Sequence, residues 1–547
     1  MPKNPSLLRA EPTTAPSVRG GFVFAPQHGW LLLILAVAAY LRAGQLGLLE
    51  FKADEANAAI LAVKMAHFES FPQIGLTYSV GVKQAPLFIY LLAPFFAISR
   101  APAFFTFAYG LISTGAVWLC YWIGRRYFNV KIGLMAAAMF AVSPWAVVFS
   151  RKIWPQDFLP VICTVLLWLW CQLLIDGKTK QIFWIVLLSL AAWQIHLTAS
   201  NLLALIGVLW LVCRFPLDWR RIGLGIGINV LLLLPYVHYQ MQHDWEDFHK
   251  AAAVVTTASQ SEVYTIEGIH PQWGFPLASR DQTGHLLNIV SGGGIEDILG
   301  LSTQAFLAGD GLIRMVIKLV KLIFIVAVVA AGVSVVRKGQ ASARPPWIDL
   351  GQEPRLAILW LWVIMPVLFF GVSGLRTYLS YFALVMPVAF LLIAWAIDAG
   401  QRRVSWRIAK PVLWLLFGLI VAGELTYTYR LYDFLDRQGG AWGTYGVVYR
   451  HKVDLCNRIA ETANTPSPVM SRDWPPKTPV ENDIQYMVAN RLEHKIFLRT
   501  TAPQTGFVVV DMRFRPPNEP EPSLGVTPLV FGPLRLYEIP LNSQRAQ

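Results

Sequence analysis

The chain has 547 residues, 55% of them hydrophobic and only 14% charged, against the roughly 25% charged residues of a soluble domain. That balance excludes an ordinary soluble enzyme, and the many apolar runs of about 18 to 20 residues indicate a polytopic membrane protein. The net charge of +13 calls for no nucleic acid, because Lys and Arg in cytoplasmic loops facing anionic lipid account for it.

The polar N-terminal tail, 1–29, carries Lys3, Arg9 and Arg19 and reads as cytoplasmic by the positive-inside rule. Trp30 to Leu49 reads as a retained first span rather than a cleaved signal. It delivers Asp54 and Glu55 to the outer face, at the start of outer loop 1 (50–85), where Ala53 to Phe68 has the spacing of an amphipathic helix lying on the membrane. Pro86 to Ser99 is short and interrupted by Pro94. Spans follow over Phe104 to Gly124 and Ile132 to Phe149, flanking Arg125, Arg126 and Lys131. If Pro86 to Ser99 dips in without crossing, or forms one long bent element with its successor, that basic trio falls inside and Asp157 falls outside, on the same face as Asp54. Length and the charge rule favour this count.

Further spans are expected over Phe158–Ile175, Ile182–Leu197, Ala199–Cys213 and Ile222–Tyr239. A long outer loop, 240–311, then precedes Leu312–Val336, Leu356–Val372, Tyr378–Ile397 and Val412–Tyr429. The expectation is a mainly α, polytopic transmembrane domain over 30–429 with about 11–13 spans, N-terminus inside and C-terminus outside. After Arg430 the composition turns polar, and 430–547 reads as a small extracytoplasmic α/β domain. It has helices over Val447–Thr462 and Asp483–Leu492 and strands over Lys495–Leu498, Phe507–Met512 and Leu534–Ile539. Four of the five cysteines lie in apolar runs, so there is no disulfide framework, and no Cys/His spacing resembles a zinc site.

Several polar features converge on the expected outer face: Asp54-Glu55, Lys83, Ser150-Arg151…Asp157 and Arg376…Tyr381. An acid pair at a span end is most often a solvated loop, and a lone basic residue there most often reaches for headgroups. Together, however, a carboxylate and several cations suit a reaction that deprotonates a hydroxyl while fixed positive charge meets a departing phosphate. His243, His249, His270 and His285 of the long loop read as surface residues rather than ligands.

The order of Asp54-Glu55-Ala56, Pro86-Leu-Phe-Ile-Tyr90, Ser143-Pro144, Ser150-Arg151, Asp157, and Arg376-x-Tyr378…Tyr381 with Pro387 resembles the GT-C superfamily. Within it, the chain resembles the protein O-mannosyltransferase and lipid A aminoarabinose transferase group of integral-membrane glycosyltransferases. The resemblance covers about residues 30 to 400. It implies a polyprenyl-phosphate-linked sugar donor used on the extracytoplasmic face of the inner or plasma membrane, and a protein, lipid or glycan acceptor. By that likeness Asp54 is the general base, with Glu55 and Asp157 as further acids. Lys83, Arg151 and Arg376 are then candidates for the donor phosphate, and Tyr90, Trp154, Tyr378 and Tyr381 for the substrate pocket. Some relatives use a divalent metal ion at the paired acids. Gln84-Ala85-Pro86-Leu87 stands where the group has a basic residue before Pro-Pro-Leu, so Lys83 is displaced by one position. A secondary transporter or flippase, or a polysaccharide ligase or polymerase, are the rival readings.

Overall fold

The computed structural model describes residues 26–78, 81–256, 275–340, 353–373, 377–403, 409–463, 465, 468–472, 480–492, 505–514 and 524–540. The chain opens with α1 (Pro26–Ala43), α2 (Ala53–Ala66), α3 (Leu87–Ile98), α4 (Pro102–Tyr127), α5 (Val130–Val142), α6 (Pro144–Phe149) and α7 (Leu159–Leu174). It continues through α8 (Gln181–Ile195), α9 (Ser200–Cys213), α10 (Trp219–Gln242), α11 (Glu246–Thr256), α12 (Phe275–Ser291), α13 (Glu296–Leu299) and α14 (Thr303–Leu307). The remaining helices of this part are α15 (Gly311–Gln340), α16 (Pro354–Ser373), α17 (Met386–Arg403) and α18 (Ala409–Gln438). Among the described residues, seven helical stretches are long and apolar enough to cross a membrane, built on α4, α7, α10, α15, α16, α17 and α18. This is an integral membrane protein.

Burial orders these helices. The apolar window of α17 is 83% buried inside the protein and that of α10 only 11%, so α17 is central and α10 faces lipid. The α4–α5 crossing is set by Gly124 and Gly133, where a Cβ on either would come within 2.6 Å of backbone of the other helix. Asn129 caps α5 by accepting from the Ile132 N–H at 2.9 Å. The helix stops at Ser143 because Pro144 disfavours helical geometry in the residue before it. The span expected over Ile132–Phe149 is therefore two helices with a break.

Two buried arginines tie this region together. Arg42, from α1, donates to the carbonyls of Phe140 (2.6 Å) and Ala141 (2.7 Å) at the end of α5. Arg151, just past α6, donates in turn to the carbonyls of Leu41 (3.0 Å), Arg42 (3.3 Å) and Gln45 (2.9 Å), and to that of Gly44, at the end of α1. Each guanidinium satisfies carbonyls that a helix C-terminus leaves open.

Two expectations change and one narrows. The 12-residue α3 rises only about 18 Å, short of the roughly 30 Å of hydrocarbon. A three-residue turn separates it from α4, so the pair is not one continuous bent helix. The surface helix expected over Ala53–Phe68 instead packs between α3 and the C-terminal region, and its small Ala56, Ala58, Ala59 and Ala62 permit that approach. The loop 240–311 is not open: α12 packs on α15 and α16, and Leu286, Ile289 and Val290 are buried there.

The C-terminal part begins where α18 ends at Gln438, beyond the expected Tyr429, at two glycines of positive φ, Gly439 and Gly440. A small hairpin, β1 (Gly440–Ala441) and β2 (Gly446–Val447), leads into α19 (Tyr449–Thr462). A four-stranded sheet follows, from β3 (Val469–Ser471), β4 (Thr505–Asp511), β5 (Leu529–Phe531) and β6 (Leu534–Pro540), with α20 (Asn482–Leu492) between the first two. The strand order is β3-β4-β6-β5, with β3–β4 parallel and the other pairs antiparallel. The strand expected over Lys495–Leu498 lies outside the described residues.

Candidate active site

The segment between α1 and α2 carries a compact charge cluster. The buried Glu50 carboxylate lies 2.8 Å from the Lys52 ammonium on one oxygen and 2.8 Å from the Lys152 ammonium on the other. Lys152 also sits 4.6 Å above the Trp154 ring. Glu55, at the third position of α2, is buried and accepts the Lys52 N–H at 3.1 Å, which caps the helix. Asp157 is 2% exposed and neither carboxylate oxygen has a partner among the described residues. Lys152, Glu50 and Glu55 all lie close enough to act on it electrostatically. Asp54, by contrast, is exposed and makes no ion pair or hydrogen bond among the described residues.

The surroundings give these acids different protonation. Burial alone would raise Glu50, but the charges of Lys152 and Lys52 outweigh it and hold its carboxyl below the usual range. Burial first, and the Glu50 charge second, push Glu55 up. Lys52 is held above the usual lysine range, because Glu50, Glu55 and Asp54 together overcome the burial that would lower it.

The other predicted residues are distributed unevenly. Arg151 is buried and its two terminal nitrogens donate to the carbonyls that end α1, while its Nε–H has no partner among the described residues. Lys83 lies in a hairpin before α3, 3.1 Å from Glu246 and 4.9 Å over the Tyr239 ring. Tyr90 is likewise committed to the fold: its hydroxyl donates to the Pro72 carbonyl at 2.6 Å and its ring packs on Phe71. The Tyr378 and Tyr381 rings meet edge to face, 5.5 Å apart, and the turn Leu379–Val385 packs against the turn Pro155–Phe158 that carries Asp157. His196 joins Tyr381 to Tyr78 of the Lys83 hairpin, with ring centroids 5.5 and 5.4 Å away. Arg376 lies outside the described residues. The sequence reading assigned no role to Glu50, Lys52 or Lys152. The signal for the first two was a Glu-x-Lys pair directly before the acids.

The C-terminal region holds the segment before Asp54 by its backbone. The Tyr445 hydroxyl donates to the Leu48 carbonyl, the Tyr449 N–H to Leu49 at 3.2 Å and the Lys452 ammonium to Phe51 at 2.7 Å. The Phe51 ring is buried against Tyr449 and Tyr486. Lys52 returns the contact to the Thr444 carbonyl and lines a cavity of about 590 Å³ shared with Arg472, Asp483 and Arg513.

Among the described residues no three His, Cys, Asp or Glu side chains are disposed to hold a metal ion. Both Glu50 oxygens already face an ammonium, so Glu50 is not free to join the Asp54-Glu55 pair as a metal ligand. No family model and no curated protein matches the sequence. Solved structures do. The crystal structure of ArnT from Cupriavidus metallidurans in the apo state aligns over 94% of this chain and 98% of that one, with a TM-score of 0.52 and 11% identity. The same protein bound to undecaprenyl phosphate aligns over 93% and 98%, with a TM-score of 0.53 and 11% identity. The chain has the GT-C fold. In this GT-C fold the likeness runs past the membrane helices into the C-terminal sheet, since nearly all of both chains is covered.

Proposed function

We propose that the protein is an inverting membrane glycosyltransferase that moves a sugar from a polyprenyl-phosphate donor to a hydroxyl of a protein, lipid or glycan. The observation that carries this reading is the contrast between Asp54 and its neighbours. Glu50 is paired, and Glu55 and Asp157 are buried, while Asp54 is an open carboxylate at the mouth of the same cluster. A general base must reach the proton it takes. The acceptor oxygen attacks the anomeric carbon as its proton passes to an Asp54 carboxylate oxygen. The bond from that carbon to the phosphate oxygen breaks, and its electron pair leaves with the lipid phosphate.

Lys83 meets the departing charge. Its pair with the exposed Glu246 is of a kind worth little, so an incoming phosphate replaces Glu246. Arg376 is a second candidate on sequence grounds. The Lys52–Glu50–Lys152 group, in which Glu50 and Lys152 are buried and Lys52 is partly exposed, supplies fixed charge that acts more strongly than it would in open water. In this reading 1–29 is the inner tail, 30–429 the catalytic domain, and 430–547 an extracytoplasmic domain that holds the loop of Asp54 in place.

The test is transfer of radiolabelled sugar from a panel of polyprenyl-phosphate sugars in membranes, with wild type beside Asp54→Asn. The expected loss is about 10²–10⁴-fold, the contribution of a general base. Retention of activity within about tenfold of wild type removes Asp54 from that role. One observation favours a transporter instead: Glu424 is buried within α18, with an oxygen that has no partner among the described residues. Solute passage that is lost in Glu424→Gln, without any donor consumption by wild type, would establish that reading.

A further inference from the structure

A groove along α1 and α18 changes character along its length. Its apolar part, about 590 Å³, is walled by Val37, Tyr40 and Leu41 of α1 and by Leu425 and Tyr429 of α18. Its polar part, about 420 Å³, is walled by Gln45 just past α1, by Tyr432, Asp433 and Asp436 of α18, and by Arg450 of α19. Tyr429 lines both parts, and on each helix the polar wall follows the apolar one toward the C-terminal end. The two cavities therefore form one amphiphilic channel, flanked by the exposed rings of Tyr40 and Tyr429, the residue type that marks a membrane interface.

Two observations specify what the polar end receives. Tyr432 is 4% exposed and its hydroxyl is enclosed, so the ligand-facing groups of this wall are charged side chains. The wall also presents two carboxylates and one guanidinium. Arg450 pairs with Asp436, and Asp433 with Arg437, in partly exposed contacts that exchange readily. A phosphate on Arg450 and an ammonium on Asp433 and Asp436 match this pattern, whereas a purely anionic headgroup would meet excess negative charge.

We propose that the groove binds a zwitterionic phospholipid carrying a primary ammonium. One acyl chain lies between α1 and α18, and the phosphodiester lies against Arg450. Gln45 and Gly47 also line the polar part, so the headgroup braces the segment that leads to Glu50. The proposal does not depend on glycosyl transfer.

The full-length protein, purified in mild detergent, is presented with phosphatidylethanolamine and phosphatidylglycerol of identical chains, and retained lipid is counted by native mass spectrometry. The wild type retains the ethanolamine lipid about tenfold over the glycerol lipid, a difference of about 1.4 kcal/mol. Arg450→Gln removes the guanidinium that meets the phosphate and lowers retention of both lipids. Asp433→Asn with Asp436→Asn abolishes the preference, and an unchanged thermal midpoint shows that the variant is folded. Equal or better retention of the glycerol lipid by wild type overturns the proposal, as does a preference that survives the double variant.

Discussion

Replacing Lys152 with Met keeps a long apolar stem over Trp154 but deletes the ammonium that faces Glu50 at 2.8 Å. Removing one partner of a buried ion pair typically costs about 3–5 kcal/mol, because the remaining charge stays buried. Glu50 would keep Lys52, whose side chain is 31% exposed, so the lower end of that range, about 3 kcal/mol, is expected for Lys152→Met. Glu50→Gln leaves two ammonium groups, one with access to solvent, and should cost less, about 2 kcal/mol. The double variant removes a matched pair of charges. Its cost should fall short of the sum by about 2 kcal/mol, well outside the additivity expected of independent sites. The assay is denaturant unfolding of the detergent-solubilised protein followed by tryptophan fluorescence, comparing all four members of the cycle. A Lys152→Met midpoint equivalent to less than about 0.5 kcal/mol, the size of a neutral surface change, would refute the reasoning. Strict additivity in the cycle would do the same.

Glu55 offers a pH test. Its carboxyl is held above the usual range in the folded state, so folding binds its proton more tightly than the unfolded chain does. That stability is complete below the ordinary carboxylate range and is lost as pH rises through the raised value. The gap between wild type and Glu55→Gln should therefore change over that interval, and parallel curves of unfolding midpoint against pH would contradict it. Arg151→Met leaves the last carbonyls of α1 without their donor. At about 1–3 kcal/mol per buried orphan group, the variant should unfold well below wild type in a thermal scan, and a wild-type midpoint would show that the cap is dispensable. In Gly443→Ala the new Cβ would lie 2.4 Å from the Gly300 nitrogen and 2.5 Å from the Ile298 carbonyl. Backbone cannot yield cheaply there, so a loss of about 1–3 kcal/mol and faster limited proteolysis of the C-terminal region are expected; unchanged digestion would sink the claim.

Seven of the expected spans were legible because a helix long enough to cross hydrocarbon needs an extended apolar run. The break at Ser143-Pro144 was equally available, since proline acts on its immediate neighbour. Concealed were the elements whose apolar face is mixed with charge. In α12, Arg280, Asp281 and His285 sit among residues that include the buried Leu286, Ile289 and Val290. The candidate site divides the same way. Asp54-Glu55 stood out as an acid pair at a span end, yet which acid turns inward depends on the capping geometry at Lys52. Arg151 read as a free cation, but its acceptors lie 106 to 110 residues earlier in the chain, a pairing that no local pattern announces. Lys152 and Glu50 are equally remote from each other in sequence and meet only once the helices have packed.

The reciprocal arginine caps bear on how the protein is made. A chain synthesised from its N-terminus presents α1 to the membrane first, with Arg42 near its end and no carbonyl to receive it. Those acceptors, at Phe140 and Ala141, are translated 98 and 99 residues later, and the guanidinium that closes α1 itself arrives only with Arg151. Until then the first helix carries both an unanswered charge and unanswered carbonyls, each costly in hydrocarbon. It must wait at the aqueous border or inside the insertion machinery. Roughly the first quarter of the chain is thus committed to the bilayer as one cooperative unit, not helix by helix.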